Sequence, residues 1–417
     1  MFQKTPAQFG RDYNFIGLYN PSSPKDTFDI VYPEGVRLNQ ASNTYQGQGN
    51  LTWDLGSFSL RLNGNYTFNT NRGGVNWIDL NKTGNGIANQ RNASLNENRT
   101  VSSSLKLTHV LSSNAFYDVI VNYFGDFYVT MDNIFKHNIT MYGDSVENAK
   151  YGRTLLADGR LNPGYQAYGF EWTKYESPSN LYRKQKTASF GGKVNFLYQA
   201  GKHHEIKAGG ELTSYTIRRY SIGARPIAQN IKAVADGNIR LIYNRLDNYG
   251  YDVYGNTLDS GPEGPKQPIF AAAYIQDKME FSDLVLNIGF RYDYINTDSR
   301  EFINPNNVKF KDGIIDPAYM KDVKPTIQIS PRLGFSFPVT DKTVFHAQYG
   351  KFIQQSQLSN IYKGFNNSSD IIKGGFAELN PVGYGLKPER TTQYDIGFKQ
   401  QLGDNFAFDI TGFYKDI

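Results

Sequence analysis

Two aromatic stretches, the first at 164–172 and the second at 243–256, have the residue types best suited to binding a ligand. Both mix tyrosine or tryptophan with polar residues, amide and carboxylate side chains among them. Aromatic faces suit sugars or planar ligands, and these rings provide rigid contact area at low entropic cost. The alternative is that each stretch packs on itself as a compact surface loop. The candidate ligand-binding residues are Tyr168, Trp172, Tyr249, Tyr251 and Tyr254.

Motifs that would indicate catalysis or metal binding are missing from the sequence. It has no G-x-S-x-G, HExxH or P-loop pattern, and Asp247, Asp252 and Asp259 do not follow the spacing of a calcium-binding EF-hand loop. The 417 residues include no cysteine, which excludes disulfides and cysteine-based sites. His203 and His204 are interpreted as solvated turn residues without a carboxylate partner. We therefore expect a protein that is not an enzyme, with no cofactor and no metal site.

The elements that would position these residues are predicted from alternation. In the run 394–398, Tyr-Asp-Ile-Gly-Phe, apolar and polar residues alternate, so a strand here has one apolar and one polar face. The same pattern predicts six hairpins. Their strand pairs are 45–55 with 58–68, 100–111 with 115–128, 186–198 with 205–218, 270–281 with 284–294, 332–339 with 344–352, and 394–402 with 406–416.

Connection lengths indicate which solvent faces the apolar side. Each hairpin turn is short, whereas the connections between hairpins are long: 69–99, 131–185, 220–267, 298–328 and 354–389. Such long loops are unusual in a compact domain. Short turns at one end and long loops at the other are typical of an outer-membrane β-barrel, whose strands need about 9–11 residues to cross the bilayer. A soluble β-sandwich or propeller is the alternative.

Composition is compatible with this interpretation. Mean hydropathy is −0.54, as expected if half of every strand faces a wet lumen. No run of apolar residues is long enough for a transmembrane helix, and no signal peptide is visible at the start. The net charge of +5 is small for this length, and basic residues are scattered, so nucleic acid is not an expected partner.

Three groups of motifs stand in the second half of the chain. They are Ala273–Asp277 with Leu286–Asp293, Pro331–Gly334 with Tyr349–Phe352, and Asn380-Pro381 followed by Leu386–Glu389 and Tyr394–Gly397. In this order they resemble the barrel of TonB-dependent outer-membrane receptors. The sequence departs from the family pattern in a longer insert between Pro381 and Leu386, in Asp395 where Glu is commoner, and in showing little likeness before residue 260.

The resemblance implies an all-β fold, an antiparallel up-and-down transmembrane β-barrel of 22 strands plugged by an N-terminal domain. It also implies import of ferric siderophores, cobalamin or oligosaccharides, driven by the TonB–ExbB–ExbD complex, in the outer membrane of a Gram-negative-type bacterium. We expect about 12 of those strands here, in an interior fragment without plug or C-terminal strands. Residues 1–43 would be a loop or a truncated N-terminal segment, and 44–417 a partial barrel. Outer-membrane lipid and a surface lipoprotein are the other expected partners.

Charged residues on the polar faces are the second group of candidates. Within a barrel, Arg291, Asp293, Arg332 and Asp395 would face the lumen, where they would be solvated, pair with the plug or contact substrate. Two other functions remain open at this point. One is a passive porin or a loop-mediated adhesin on a similar barrel, and the other is a soluble all-β enzyme or lectin.

Overall fold

A computed structural model describes residues 2–5, 14–16, 29–31, 41–73, 93–153, 155, 165–167, 170–172, 181–223, 246–373 and 383–417. These residues are dominated by a 14-stranded antiparallel sheet. Across them, the helices are too short or too polar to cross a membrane.

Strands β1 to β11 precede residue 224. They are β1 Phe2–Thr5, β2 Asn14–Ile16, β3 Asp29–Val31, β4 Ser42–Asp54, β5 Phe58–Arg72, β6 Leu95–Ser112, β7 Ala115–Met131, β8 Tyr165–Ala167, β9 Phe170–Trp172, β10 Leu181–Ala200 and β11 His204–Gly223. The later strands are β12 Leu246–Tyr249, β13 Ile269–Phe281, β14 Leu284–Asn296, β15 Arg300–Phe302, β16 Phe310–Lys311, β17 Ile314–Ile315, β18 Met320–Asp322, β19 Thr326–Thr340, β20 Thr343–Gln354, β21 Glu389–Leu402 and β22 Phe406–Asp416.

Helices occur only between strands in the described chain, and all of them are short. The α-helices are α1 Ser145–Ala149, α2 Leu358–Ile361 and α3 Phe365–Lys373, and two 3-10 turns cover Ile139–Gly143 and Pro317–Tyr319.

The six predicted hairpins are confirmed as consecutive neighbours in the sheet. The order is β4-β5-β6-β7-β10-β11-β13-β14-β19-β20-β21-β22, so the long strands form one meander. Its two ends, β1 and β22, do not pair with each other in the described part, and the sheet is therefore open. Several strands begin or end beyond their predicted limits on the side of the long connections. β10 starts at Leu181 and β11 ends at Gly223, because their backbone ladder continues through polar residues.

The first 43 residues contain more structure than a loop. β1 pairs with Ser42–Tyr45 at the start of β4, and β2 pairs with β3. The prediction of a loop is therefore wrong at these three strands. These short strands lack an alternating apolar run long enough to have indicated them. The domain boundary at residue 43 stays a prediction.

The long strands have one apolar and one polar face, as the alternation predicts. Apolar side chains such as Phe290, Leu333 and Ile396 point away from the polar face and are 52%, 45% and 57% exposed. No second sheet covers this face in the described chain, which contradicts a soluble sandwich with a dry interior. An exposed apolar surface of this extent indicates contact with another apolar phase.

Buried apolar residues gather where the long connections meet the strands. One cluster includes Met131, Tyr142, Tyr182 and Tyr220, and two more form around Tyr249 with Tyr362 and around Ile315 with Phe365. The core of the described chain therefore sits at the loop end of the sheet and holds the loops in place.

Candidate functional site

The polar face carries a ladder of side chains that spans five consecutive strands. Lys106 Nζ lies 3.6 Å from Asp118 Oδ1. Asn195 Nδ2 donates to Asp118 Oδ2 at 2.7 Å, and the Tyr274 hydroxyl donates to Asn195 Oδ1 at 3.0 Å. These residues belong to β6, β7, β10 and β13, one from each strand. The polar ladder therefore links side chains from four of five consecutive strands, and it crosses β11 between Asn195 and Tyr274.

A glycine makes room for the last member of the polar ladder. Gly209 on β11 pairs directly with Tyr274, and the phenol ring crosses over it to reach Asn195. A Cβ at Gly209 would lie 2.6 Å from the Val194 carbonyl oxygen and 2.7 Å from Tyr274 Cε1. Both contacts are closer than van der Waals packing allows, so only glycine permits this crossing.

Two of the four predicted lumen residues form an ion cluster. Arg291 donates from Nε to Asp293 Oδ1 at 2.8 Å and from Nη2 to Glu211 Oε1 at 2.7 Å. Lys193 Nζ lies 4.0 Å from Glu211 Oε2. The Asp293 side chain is largely buried, with Arg291 and Glu211 more open. The charges of Arg291 and Lys193 balance those of the two carboxylates, and these ion pairs fix the side chains against the wall.

The other two predicted residues line one shallow concavity. Arg332 stacks over the Phe352 ring at 5.1 Å, and Asp395 accepts two bonds from Gln393 Nε2 at 3.0 and 2.9 Å. Both border a concave space of about 310 Å³ on the polar face. The structure thus places all four residues on the polar face, in two separate groups. Their contact with a substrate stays a prediction.

An uncharged polar surface on the first four long strands was not singled out from the sequence. It surrounds a concavity of about 550 Å³ on the polar face. The signal that could have found it is the repetition of amide and hydroxyl residues at every second position of these strands. Its polar side chains are those of Gln48, Asn50, Asn63, Asn65, Ser102, Ser104 and Asn122.

Of the predicted loop tyrosines in the second aromatic stretch, two are buried and one is exposed. Tyr249 is 3% exposed, and its ring centre lies 5.9 Å from that of Tyr362. Tyr251 is 9% exposed, and the Lys184 ammonium lies 4.4 Å from its ring centre. Tyr254 is 49% exposed. The first two therefore have the self-packing role of the alternative interpretation, and Tyr254 is the one with a ring face open to a ligand.

The first aromatic stretch is described only in part. Tyr168 lies outside the described residues. Trp172 ends β9 and pairs with Tyr165 on β8, and its side chain is outside the described part. The predicted ligand contact of these two residues stays a prediction.

Three connections join at the loop end of the wall, and we call their assembly the loop cap: residues 246–268, residues 297–325, and α2 and α3 with residues 383–388. Its polar contacts start from β12. Asp247 accepts from Arg219 Nε at 2.6 Å and from the Gly364 backbone N–H at 3.0 Å. Asn366 Nδ2 donates to Asn248 Oδ1 at 2.9 Å and to Glu263 at 2.6 Å. The start of α3 is thereby bonded to the connection that contains β12.

The second side of α3 binds the connection 297–325. Phe365 packs in one cluster with Ile315 and Met320. The Ile315 backbone N–H donates to Ser369 Oγ at 2.7 Å, and the Tyr362 hydroxyl donates to the Thr297 carbonyl. Since α3 contacts both the connection 246–268 and the connection 297–325, the three connections form one contact network over the polar face.

Lowering the pH is expected to tighten the loop cap through Glu263. Burial raises the pKa of Glu263, against the opposing hydrogen bonds from Asn248 and Asn366 and with charged Lys266 and Asp252 nearby. A raised pKa means that the docked cap binds the proton more strongly than the undocked loop. The contribution is complete below the ordinary glutamate pKa and is lost as pH rises through the raised value.

Hydrogen exchange of α3 at pH 4.5 and pH 7, corrected for intrinsic rates, measures this effect. We expect greater protection at pH 4.5, and a smaller pH difference in Glu263→Gln. The same pH difference in the variant would show that another group controls the cap.

The chain was compared with known proteins. The family model described as TonB dependent receptor-like, beta-barrel matches residues 2–417. The chain belongs to this family. TonB-dependent receptors are outer-membrane transporters, so the chain is part of an outer-membrane protein and not of an enzyme. In this setting the polar face is the lumen wall, the apolar face meets lipid, the short turns are periplasmic and the loop cap is extracellular.

Solved structures share the fold at low sequence identity. The copper transporter OprC aligns over 90% of this chain and 45% of its own, with 11% identity and a TM-score of 0.51. The FrpB iron transporter from Neisseria meningitidis, F3-3 variant, aligns over 99% of this chain and 50% of its own, with 14% identity and a TM-score of 0.50. The chain thus spans about half the length of these TonB-dependent receptors. A search of curated protein sequences gave no significant match.

Proposed function

We propose that this chain forms part of the wall of a TonB-coupled receptor that captures a large polar nutrient beneath its loop cap and imports it. The observation that carries the proposal is the docking of three extracellular connections, through α3, over a polar lumen wall in a TonB-dependent receptor barrel. A barrel of about 22 strands has a lumen wide enough for such a ligand when the plug moves. The TonB–ExbB–ExbD complex would supply the energy.

The chemistry of the wall favours a ligand recognised by hydrogen bonds. Amide and hydroxyl groups line the larger concavity, including Asn50, Asn63 and Ser104. Three lumen cations, Lys106, Lys193 and Arg291, are already paired with carboxylates of the chain. Neutral donors and acceptors suit sugar hydroxyls, and we therefore place an oligosaccharide ahead of a ferric siderophore or cobalamin. A surface lipoprotein that hands over glycans would be a fitting partner.

Uptake by cells that carry the full-length gene tests the proposal. Accumulation of a labelled oligosaccharide, a ferric siderophore and cobalamin is measured in cells with and without TonB. We expect one of these to accumulate only when the receptor and TonB are both present. Diffusion of small solutes without TonB would support a porin, and surface attachment without uptake would support an adhesin. Either result would overturn the proposal.

Tyr254→Ala is expected to weaken binding of the imported nutrient about tenfold or more, the effect of losing one well-packed aromatic contact. Tyr319→Ala is the matched control, because Tyr319 is similarly exposed at 51% in a different connection. Binding is measured on the purified full-length receptor by titration calorimetry. Equal affinity for wild type and Tyr254→Ala would remove Tyr254 from the binding surface but leave the transport proposal standing.

A further inference from the structure

A row of aromatic and basic residues lies on the lipid-facing side of the wall, at its extracellular end. Its members come from five neighbouring strands, β5, β6, β7, β10 and β11. The strand register pairs each member with the next, so they stand side by side across the strands. The row consists of Phe68, Arg99, Phe127, Lys186 and Arg218.

The basic side chains lie against the rings beside them. The Arg99 guanidinium is 5.6 Å from the Phe68 ring centre, and the Lys186 ammonium is 5.3 Å from the Phe127 ring centre. Cation–π contacts of this kind attract the charge to the ring without neutralising it. Both charges are therefore held close to the wall, with positive potential on its outer side.

Only one cation of the row has an anionic partner among the described residues. Arg218 binds the Asp259 carboxylate and the Gly250 carbonyl of the loop cap. Arg99 and Lys186 form no ion pair within the described chain, although Glu97 shares the face of Arg99. In contrast, three lumen cations each face a carboxylate. The outer row thus has two positive charges that no carboxylate of the described residues pairs with.

The position of Arg99 and Lys186 in the membrane follows from β7, which lies between their strands. On β7, the lipid-facing positions from Tyr117 to Phe127 carry only apolar or aromatic residues or glycine. That stretch matches the roughly 9–11 tilted residues that cross the hydrocarbon core. On β7 the apolar positions continue through Val129 and Met131, but on the neighbouring strands this face carries its first charges at Arg99 and Lys186, with Glu97 and Lys184 beyond them. This change from apolar to charged residues places Arg99 and Lys186 where lipid headgroups begin. Aromatic rings favour this interface.

We propose that Arg99 and Lys186 form a binding site for the phosphate groups of an anionic lipid in the outer leaflet. The two charges are separated by Phe127, so a lipid with more than one phosphate can contact both. Phe68 and Phe127 would then pack against the apolar part of the same molecule. Basic residues at a membrane surface strengthen the binding of anionic lipid.

Native mass spectrometry of the full-length receptor in detergent tests this site. The probes are bisphosphorylated lipid A, lipid A without phosphates, and inorganic phosphate. Wild type should retain bisphosphorylated lipid A about tenfold or more strongly than the dephosphorylated form. The double variant Arg99→Gln/Lys186→Gln should lose that preference, and the exchange Arg99→Lys/Lys186→Arg should keep it.

Lys193→Gln is the matched control, because Lys193 lies on the same strand as Lys186 but faces the lumen. It should bind lipid as wild type does. Equal lipid retention by wild type and the double glutamine variant, or an equal loss in Lys193→Gln, would overturn the proposal. Competition by inorganic phosphate at the concentration of lipid A would also overturn it, since the site would then select a free anion and not a lipid.

Discussion

Arg153→Met is expected to unfold the extracellular connection 132–153 while the barrel wall stays intact. Arg153 and Asp132 are fully buried, and Arg153 Nη2 lies 2.9 Å from Asp132 Oδ2. Asp132 also accepts the backbone N–H groups of Ile134 and Phe135 at 2.9 Å. Removal of the guanidinium leaves a buried carboxylate without its paired cation, although the charge of Arg72 still acts on it. Loss of one partner of a buried pair typically costs about 3–5 kcal/mol. The backbone ladder of β6 and β7 does not depend on this pair.

Hydrogen exchange and limited proteolysis of the full-length receptor measure the effect. Lys150→Met is the matched control, because the ion pair of Lys150 with Glu147 is exposed and solvent screening leaves such a pair little effect on stability. Replacing both buried partners, Arg153→Met with Asp132→Asn, should recover part of the protection. If Arg153→Met and Lys150→Met expose 132–153 equally, the buried pair does not hold this connection.

Gly364→Ala is expected to release α3 from the connection that contains β12. A Cβ at Gly364 would lie 2.7 Å from the Asn248 backbone nitrogen and 2.9 Å from Asp247 Oδ1. Because the first of these is a backbone atom, the loop cap must separate to admit the methyl group. Overpacking of this kind costs about 1–3 kcal/mol. The hydrogen bonds from Asn366 to Asn248 and Glu263 would be lost with the same movement.

Protection of residues 365–373 from hydrogen exchange reports this release, and uptake of the nutrient reports its consequence. Gly192→Ala is the control, since no heavy atom lies within 4 Å of a Cβ built there. We expect α3 to lose protection in Gly364→Ala only. Unchanged protection of α3 would mean that the loop cap tolerates the methyl group and that the close approach at Gly364 is not what sets its docking.

The wall could be predicted from the sequence because its pattern is local. In a strand such as β14, apolar and polar residues alternate, so the sequence itself shows which residues share a face. The turn at Ser282-Asp283 marks the start of the strand. The polar face of Arg291, Asp293, Arg332 and Asp395 followed from the same alternation. The lengths of the connections then indicated what periodicity alone could not, the solvent on the apolar side, and the family motifs agreed with that prediction.

The loop cap could not be predicted in the same way, because its contacts join distant parts of the chain. Asn366 and Asn248 are 118 positions apart, and nothing near either residue indicates the other. Tyr249 shows a related difficulty, since the sequence around a tyrosine among polar residues is the same whether its side chain binds a ligand or packs within a loop.

His204 has a carboxylate partner that was not expected. This partner is Asp277 on the neighbouring strand, with His204 Nδ1 and Asp277 Oδ2 2.8 Å apart.

The polar ladder from Lys106 to Tyr274 has a mechanical consequence. Its contacts, like the backbone hydrogen bonds, run from strand to strand. Outward pressure from the lumen would therefore stretch both kinds of contact. Many parallel bonds share that load, and the wall resists widening along its whole height. The short turns fix one rim. A bulky solute would therefore gain room by separating the contacts of α3 at the extracellular rim. Those hydrogen bonds are few, and breaking them does not require the strands of the wall to move apart.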